Sequence, residues 1–130
     1  MSPGGTGARP FHPLVIALAS GANFVAREFS GNIKATTRTL VEAVQHPGFS
    51  FVEILSPCVT FRPDERAWKS TVHSAPVEPT DDPARAARRI MTDDGMNTGI
   101  LYRGNRRPYH MQIGEPASEL PEHLERVFEI

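Results

Sequence analysis

Phe49-Ser50-Phe51-Val52-Glu53-Ile54-Leu55-Ser56-Pro57-Cys58-Val59-Thr60-Phe61 is the stretch on which the fold turns. Phe51, Val52, Ile54 and Leu55 make an almost unbroken β-prone run, the pattern of a strand covered on both faces. Pro57 ends it, because proline has no N–H to give to a central ladder. Cys58, the only cysteine of the chain, therefore sits where a strand gives way to a loop, the end at which open α/β sheets gather their chemistry. Two readings of that thiol stand side by side. It is a candidate ligand or nucleophile, or it is a buried small hydrophobe, as free cysteines often are.

Upstream of this strand the pattern completes a parallel unit. Pro13 suits a first helical turn, Leu14 to Ala19 continue it, and Gly21 supplies the stop. Phe24 to Arg27 is a short strand. Asn32 can cap a second helix, in which Ile33, Thr37, Leu40, Val41 and Val44 recur at helical spacing. That spacing predicts an inward apolar face and leaves Lys34, Arg38, Glu42 and Gln45 in water. His46-Pro47-Gly48 closes the helix. Helix, strand, helix, strand with short connections implies two parallel strands joined by a right-handed crossover, an α/β fold.

Gly21-Ala22-Asn23-Phe24-Val25-Ala26-Arg27-Glu28-Phe29-Ser30-Gly31, followed by the stretch from His46 to Phe61, closely resembles the β subunit of 2-oxoacid:ferredoxin oxidoreductases, the 2-oxoglutarate enzyme above all. The resemblance continues through Trp68-Lys69, Thr80-Asp81-Asp82-Pro83 and Gly99-Ile100-Leu101-Tyr102-Arg103-Gly104, and so runs from Ser2 to about Tyr109. It implies the C-terminal part of a thiamine-diphosphate-binding-type parallel sheet domain. Subunits of this family are longer. Their N-terminal half carries a Cys-x-x-Cys pair, a Gly-Asp-Gly-Asp stretch with a downstream Asn, and a Tyr-Gly loop, and the Asp and Asn hold the magnesium that grips the cofactor diphosphate. None of these motifs occurs here, so the chain reads as a C-terminal half that begins after the cofactor site, with no catalytic or cofactor-binding residue of its own.

The resemblance also gives Cys58 a specific reading. It matches the fourth thiolate of a four-iron, four-sulfur cluster whose other three ligands lie upstream, so it would bind iron only where another chain supplies them. The family's activity is the oxidative decarboxylation of a 2-oxoacid to an acyl-coenzyme A with ferredoxin as electron acceptor, thiamine diphosphate stabilising the carbanion. The partners implied are the α subunit and the missing N-terminal β half, with ferredoxin and coenzyme A at the level of the complex. The alternative is a truncated, non-catalytic structural or subunit-interaction module.

The chain's 130 residues suit one core. The reading divides them into a flexible Gly/Pro-rich start (1–12), the parallel α/β unit (13–61), an irregular arm (62–80), and a final region (81–130) of helix, short strand and terminal helix. In the arm, Trp68 is expected to pin the chain to a hydrophobic surface. Asp81 or Asp82 can cap a helix over Pro83 to Met91, with Asp93-Asp94-Gly95 closing it. On that helix Arg85, Arg88 and Arg89 share one side, as a solvated or docking face. Ile100 to Tyr102 is a strand, and Arg103, Arg106 and Arg107 are expected in water. Leu120, Leu124, Val127 and Phe128 fall at i, i+4, i+7 and i+8 on a terminal helix beginning near Pro121.

His12, His46, His73, His110 and His123 show no zinc-ligand spacing. A single cysteine and the lack of a signal-peptide pattern fit a reducing, cytoplasmic compartment. No apolar run approaches a membrane span, and a formal net charge of -1 gives no electrostatic case for nucleic acid.

Overall fold

The computed structural model describes Gly7 and residues 11–76 and 78–108. The start before Phe11, Gly7 excepted, and the terminal helix expected near Pro121 lie outside the described residues.

Proline at the first helical position and a positive-φ glycine just past the end delimit the first helix. Pro13 opens α1 (Pro13–Ala19), and Gly21 follows it at φ +88, where a side chain would be strained. The chain continues through β1 (Phe24–Phe29), α2 (Ile33–Gln45), β2 (Ser50–Leu55), a 3-10 turn (Pro63–Ala67), α3 (Trp68–Thr71), β3 (His73–Ser74), α4 (Pro83–Thr92) and β4 (Asn97–Arg103). Asn32 caps α2, its Oδ1 accepting from Ala35 N at 3.2 Å. Asp82 caps α4, with Oδ1 accepting from Ala84 N and Arg85 N.

The four strands form one mixed sheet in the order β2-β1-β4-β3. β1 and β2 are parallel, as the crossover implied, in the register Phe24↔Ser50 through Phe29↔Leu55. β4 runs antiparallel to β1, and its register shifts between Val25 and Ala26. That irregularity explains why Leu101 and Tyr102, although consecutive, both join the core beneath α1 and α4.

Among the described strands β1 alone is buried along its whole length, and its side chains alternate between two layers. Val25 packs with Leu14, Leu18, Ile90 and Tyr102 in the core under α1 and α4. Phe24 and Ala26 pack with Ala43, Val52 and Ile100 beneath α2.

Three expectations are corrected here. β2, not β1, was expected to be covered on both faces, yet β2 is an edge strand, half-buried along most of its length with Ile54 42% exposed. An edge strand with a short apolar run cannot be told from a central one by composition, because its missing neighbour is a tertiary fact.

The second correction concerns α2, which presents the opposite face to the sheet from the one expected. Ile33, Thr37, Leu40, Val41 and Val44 are exposed, Ile33 by 76% and Val44 by 85%, whereas the buried residues are Thr39 and Ala43. Small residues let the helix lie close to the strands, and their hydroxyls find partners there. Thr39 Oγ1 donates to Glu28 Oε1 at 2.5 Å, Thr36 Oγ1 to Phe29 O at 3.0 Å, and Ser50 Oγ to Ala43 O at 2.7 Å. The stripe of larger side chains is left for something else.

The third correction falls on residues 62–80, which are more structured than an irregular arm. They contain the 3-10 turn, α3 and β3, and Thr80 bridges to Tyr102. The anchoring side chain there is buried Glu65, while Trp68 is only half-buried. Arg103 is solvent-exposed, as expected, but it is not without contacts. It pairs with Glu42 across to α2 and lies 5.4 Å above the Phe24 ring, tying the end of β4 to the helix.

Candidate functional site

Both parallel strands end on the same edge of the sheet, and the loops that follow them, Ser30 to Asn32 and Ser56 to Arg62, lie at that edge. Pro57 cannot extend the ladder, so the chain leaves β2 and turns at Cys58, whose carbonyl accepts from Phe61 N at 3.1 Å and Arg62 N at 2.8 Å. Buried Glu65 reaches back, its Oε2 accepting from Cys58 N at 2.7 Å. The backbone around position 58 is thus held on both its polar groups, while the thiol is exposed. The reading of Cys58 as a buried small hydrophobe is therefore not what the structure shows. Val59 and Phe61, 40% and 71% exposed, flank it with apolar surface. On the outer side Arg62 hydrogen-bonds to Asp64 at 2.8 Å. That contact holds the Asp64 carboxyl below its ordinary value and the guanidinium above its own.

At the end of β1 a cavity of about 390 Å³ opens between the β1–α2 loop and the α3–β3 segment, lined by Glu28, Gly31, Asn32, Lys69 and His73 among others. His73 Nε2 lies 3.0 Å from Asp94 Oδ2 on its rim. The Asp94 hydrogen bond raises the imidazole pKa above its ordinary value, and the same contact lowers that of Asp94. The raised histidine value contributes stability that is fully present below the ordinary imidazole pKa of about 6.5 and is lost as pH rises through the folded value. The lowered aspartate value contributes above the ordinary carboxylate range and is lost on acidification. His73→Gln is therefore expected to lessen the fall in stability as pH rises from about 6 to 8, a small effect since both groups are exposed. Urea midpoints at the two pH values check it, and an unaltered pH dependence would count against the pair.

A deeper feature lies in the sheet itself. Arg27, 6% exposed, donates from Nε to Glu53 Oε2 at 2.7 Å, and from Nη1 to Asp93 Oδ2 at 3.1 Å and Asn97 Oδ1 at 2.5 Å. One guanidinium thus joins β1, β2, the end of α4 and the start of β4. Sequence reasoning named neither this set nor Glu65. The signal was present in the charged pair Arg27-Glu28 at the end of an otherwise apolar strand, since buried charges need partners. Arg85 and Arg88 are exposed, whereas Arg89 donates to Glu78 O at 3.0 Å.

Among the described residues no group of three or more His, Cys, Asp or Glu could hold a metal ion. A magnesium-bound diphosphate needs several oxygen ligands and an iron–sulfur cluster several thiolates. Neither group fits these residues alone, and Cys58 is at most one ligand of a set.

The structure defines the class: a mixed α/β domain that holds one exposed, backbone-clamped thiol just past the end of a parallel strand. The comparisons give the particular relatives, for the chain is homologous to β subunits of 2-oxoacid:ferredoxin oxidoreductases. It is 28% identical over 92 residues to the 2-oxoacid:ferredoxin oxidoreductase subunit beta of Saccharolobus solfataricus, covering 69% of this chain and 30% of that one. It is 41% identical over 59 residues to the 2-oxoglutarate synthase subunit KorB of Archaeoglobus fulgidus, covering 45% of this chain and 22% of the other. The fold matches a 2-oxoglutarate:ferredoxin oxidoreductase from Magnetococcus marinus, whose structure has 2-oxoglutarate, coenzyme A and succinyl-CoA bound. There the TM-score is 0.73 at 24% identity, over 95% of this chain and 46% of that one. No protein-family model matches. The matches thus span about a third or less of the curated relatives' length, and under half of the structural one.

Proposed function

We propose that this chain is the C-terminal β-subunit segment of an oxidoreductase that oxidatively decarboxylates a 2-oxoacid, 2-oxoglutarate first among candidates, to an acyl-coenzyme A with ferredoxin as electron acceptor. The observation that carries this reading is the Cys58 loop. It offers one exposed thiol, backbone-clamped at the carboxyl edge of a parallel strand pair, in a chain homologous to β subunits of such enzymes. Its role is to complete a site whose other parts come from elsewhere: the N-terminal β half with the thiamine diphosphate, magnesium and remaining cluster ligands, and the α subunit. Val59 and Phe61 would then pack against the chain that supplies the other thiolates. No helix among the described residues is long and apolar enough to cross a membrane, and the cytoplasm, where a free thiol stays reduced, is the compartment we assign.

The chain by itself is expected neither to bind thiamine diphosphate with magnesium nor to turn over 2-oxoacids. Calorimetry with cofactor and magnesium checks this, and saturable micromolar binding would contradict it. Combined with a chain carrying the Cys-x-x-Cys and Gly-Asp-Gly-Asp motifs and with an α subunit, it should support ferredoxin reduction that depends on both 2-oxoglutarate and coenzyme A. In that assembly Cys58→Ser should weaken or alter the cluster's visible and paramagnetic resonance spectra while the fold persists, since a hydroxyl poorly replaces a soft thiolate. An unchanged spectrum would remove Cys58 from the ligand set.

A second reading, a non-catalytic subunit-interaction module, is favoured by the apolar surface that Val59 and Phe61 leave exposed at the strand end. An assembly that forms but stays inactive with every 2-oxoacid tried would select it.

A further inference from the structure

α2 carries its larger apolar side chains on the outside. Ile33, Thr37, Leu40, Val41 and Val44 follow the spacing i, i+4, i+7, i+8, i+11 and form a continuous stripe along an exposed helix face. Contiguous exposed apolar surface of this kind marks a docking site. Three observations indicate what covers it.

The first is where the described chain stops. Buried Asn23 donates from Nδ2 to Pro47 O at 2.8 Å and to Arg106 O at 3.0 Å, and its Oδ1 accepts from Arg106 N at 3.1 Å. Gly104 N donates to Asn23 O at 2.7 Å, and a Cβ at Gly104 would meet Asn23 Oδ1 at 2.5 Å, so only glycine allows this approach. The chain is thus held beside the C-terminal end of α2 as it reaches Pro108. A cavity of about 300 Å³ lies there, lined by His46 and Pro108 among others, and the His46 Nε2 atom is buried with no hydrogen-bond partner among the described residues.

The second is reach. From Tyr109 to Glu119 the chain has enough residues to extend about 36 Å, whereas α2 is about 20 Å long. The third is complementarity. Leu120, Leu124, Val127 and Phe128 repeat the spacing of the α2 stripe, and from Glu115 to Ile130 there are five glutamates and one arginine. Lys34 and Arg38 flank the stripe, and Arg106 stands at the exit.

We propose that residues 119–130 dock as an amphipathic helix on the outer face of α2, setting Leu120, Leu124, Val127 and Phe128 against Ile33, Leu40, Val41 and Val44. The segment closes over the apolar surface of its own chain and places its acidic flanks beside Lys34 and Arg38. Packing two apolar stripes in this way is ordinary helix-on-helix association.

The test uses the full chain carrying Cys58→Ser and Glu125→Cys, with a nitroxide on the new thiol, which lies beside the stripe rather than in it. The amide signals of Leu40, Val41 and Val44 should be broadened beyond detection, while those of Val15 and Ile16 on α1 are retained. Adding Leu124→Asp and Phe128→Asp should restore the α2 signals. Unbroadened α2 signals, or broadening on α1 instead, would overturn the proposal. So would broadening that appears only when isotope-enriched chain without the nitroxide is mixed with unenriched labelled chain, which would make the occupant a second copy. Hydrogen exchange gives a label-free check: in the full chain with Leu124→Asp and Phe128→Asp, amides 37–46 should exchange about tenfold faster than in the parent. Equal rates would likewise overturn it.

Discussion

Replacing Arg27 by methionine is expected to lower the unfolding free energy by about 3–5 kcal/mol, the cost of breaking a buried ion pair from one side. Among the described residues the guanidinium is the only cation contacting the Glu53 and Asp93 carboxylates, and their side chains are only 23% and 14% exposed. Methionine fills much of the space but leaves two largely buried carboxylates and the Asn97 amide oxygen facing each other without a cation, the Gly95 N–H remaining as a donor to Asp93 Oδ1 alone. Folded domains are stable by about 5–15 kcal/mol, so this one change removes a large share. Urea unfolding at constant slope measures it. Arg27→Met combined with Glu53→Gln and Asp93→Asn should recover part of the loss, because neutral amides are cheaper to leave without a cation. A loss under about 1 kcal/mol, the level of a surface pair, would mean that the network is solvated and carries little.

Phe24→Ala is expected to cost a similar amount, about 3–5 kcal/mol, by a different route. Phe24 is fully buried between the sheet and α2, packing with Ala26, Ala43, Val52 and Ile100. Its ring also contacts His46 at 5.4 Å between centroids and lies beneath the Arg103 guanidinium. The neighbours Ala26 and Ala43 are too small to close the resulting void, so the transfer loss and the cavity cost add. Phe24→Leu should lose appreciably less, since it keeps most of the volume. If alanine and leucine proved equally mild, the layer under α2 would be able to collapse, contrary to the packing described. The two substitutions act on opposite sides of β1, Arg27 toward α4 and Phe24 toward α2, so together they test whether that strand is the common support of both layers.

Much of the local structure was legible because it depends on residues close in sequence. Pro13 and Gly21 delimit α1, Asn32 and Asp82 accept from the first amides of α2 and α4, and the short connections make β1 and β2 parallel. Cys58 was legible as a residue at a strand end. Its exposure was not, because it depends on Glu65 and the 3-10 turn holding the loop. The Arg27 set was also out of reach, since its partners Glu53, Asp93 and Asn97 come from three separate parts of the chain.

By itself, then, the sequence determined that α1, α2 and α4 are helices and β1, β2 and β4 strands, with ends placed to within a few residues, and that the chain resembles the β subunits named above. Capping chemistry, proline and glycine geometry, and hydrophobic period act within a few residues and need no knowledge of the fold. Only the tertiary structure decided that β2 lies at the sheet edge, that β4 returns antiparallel beside β1, and that α2 turns Thr39 and Ala43 inward and its apolar stripe outward. An amphipathic pattern states that a helix has an apolar face. Which surface that face meets depends on the close approach that small residues permit and on hydroxyl partners such as Glu28, and both exist only once the strands are in place.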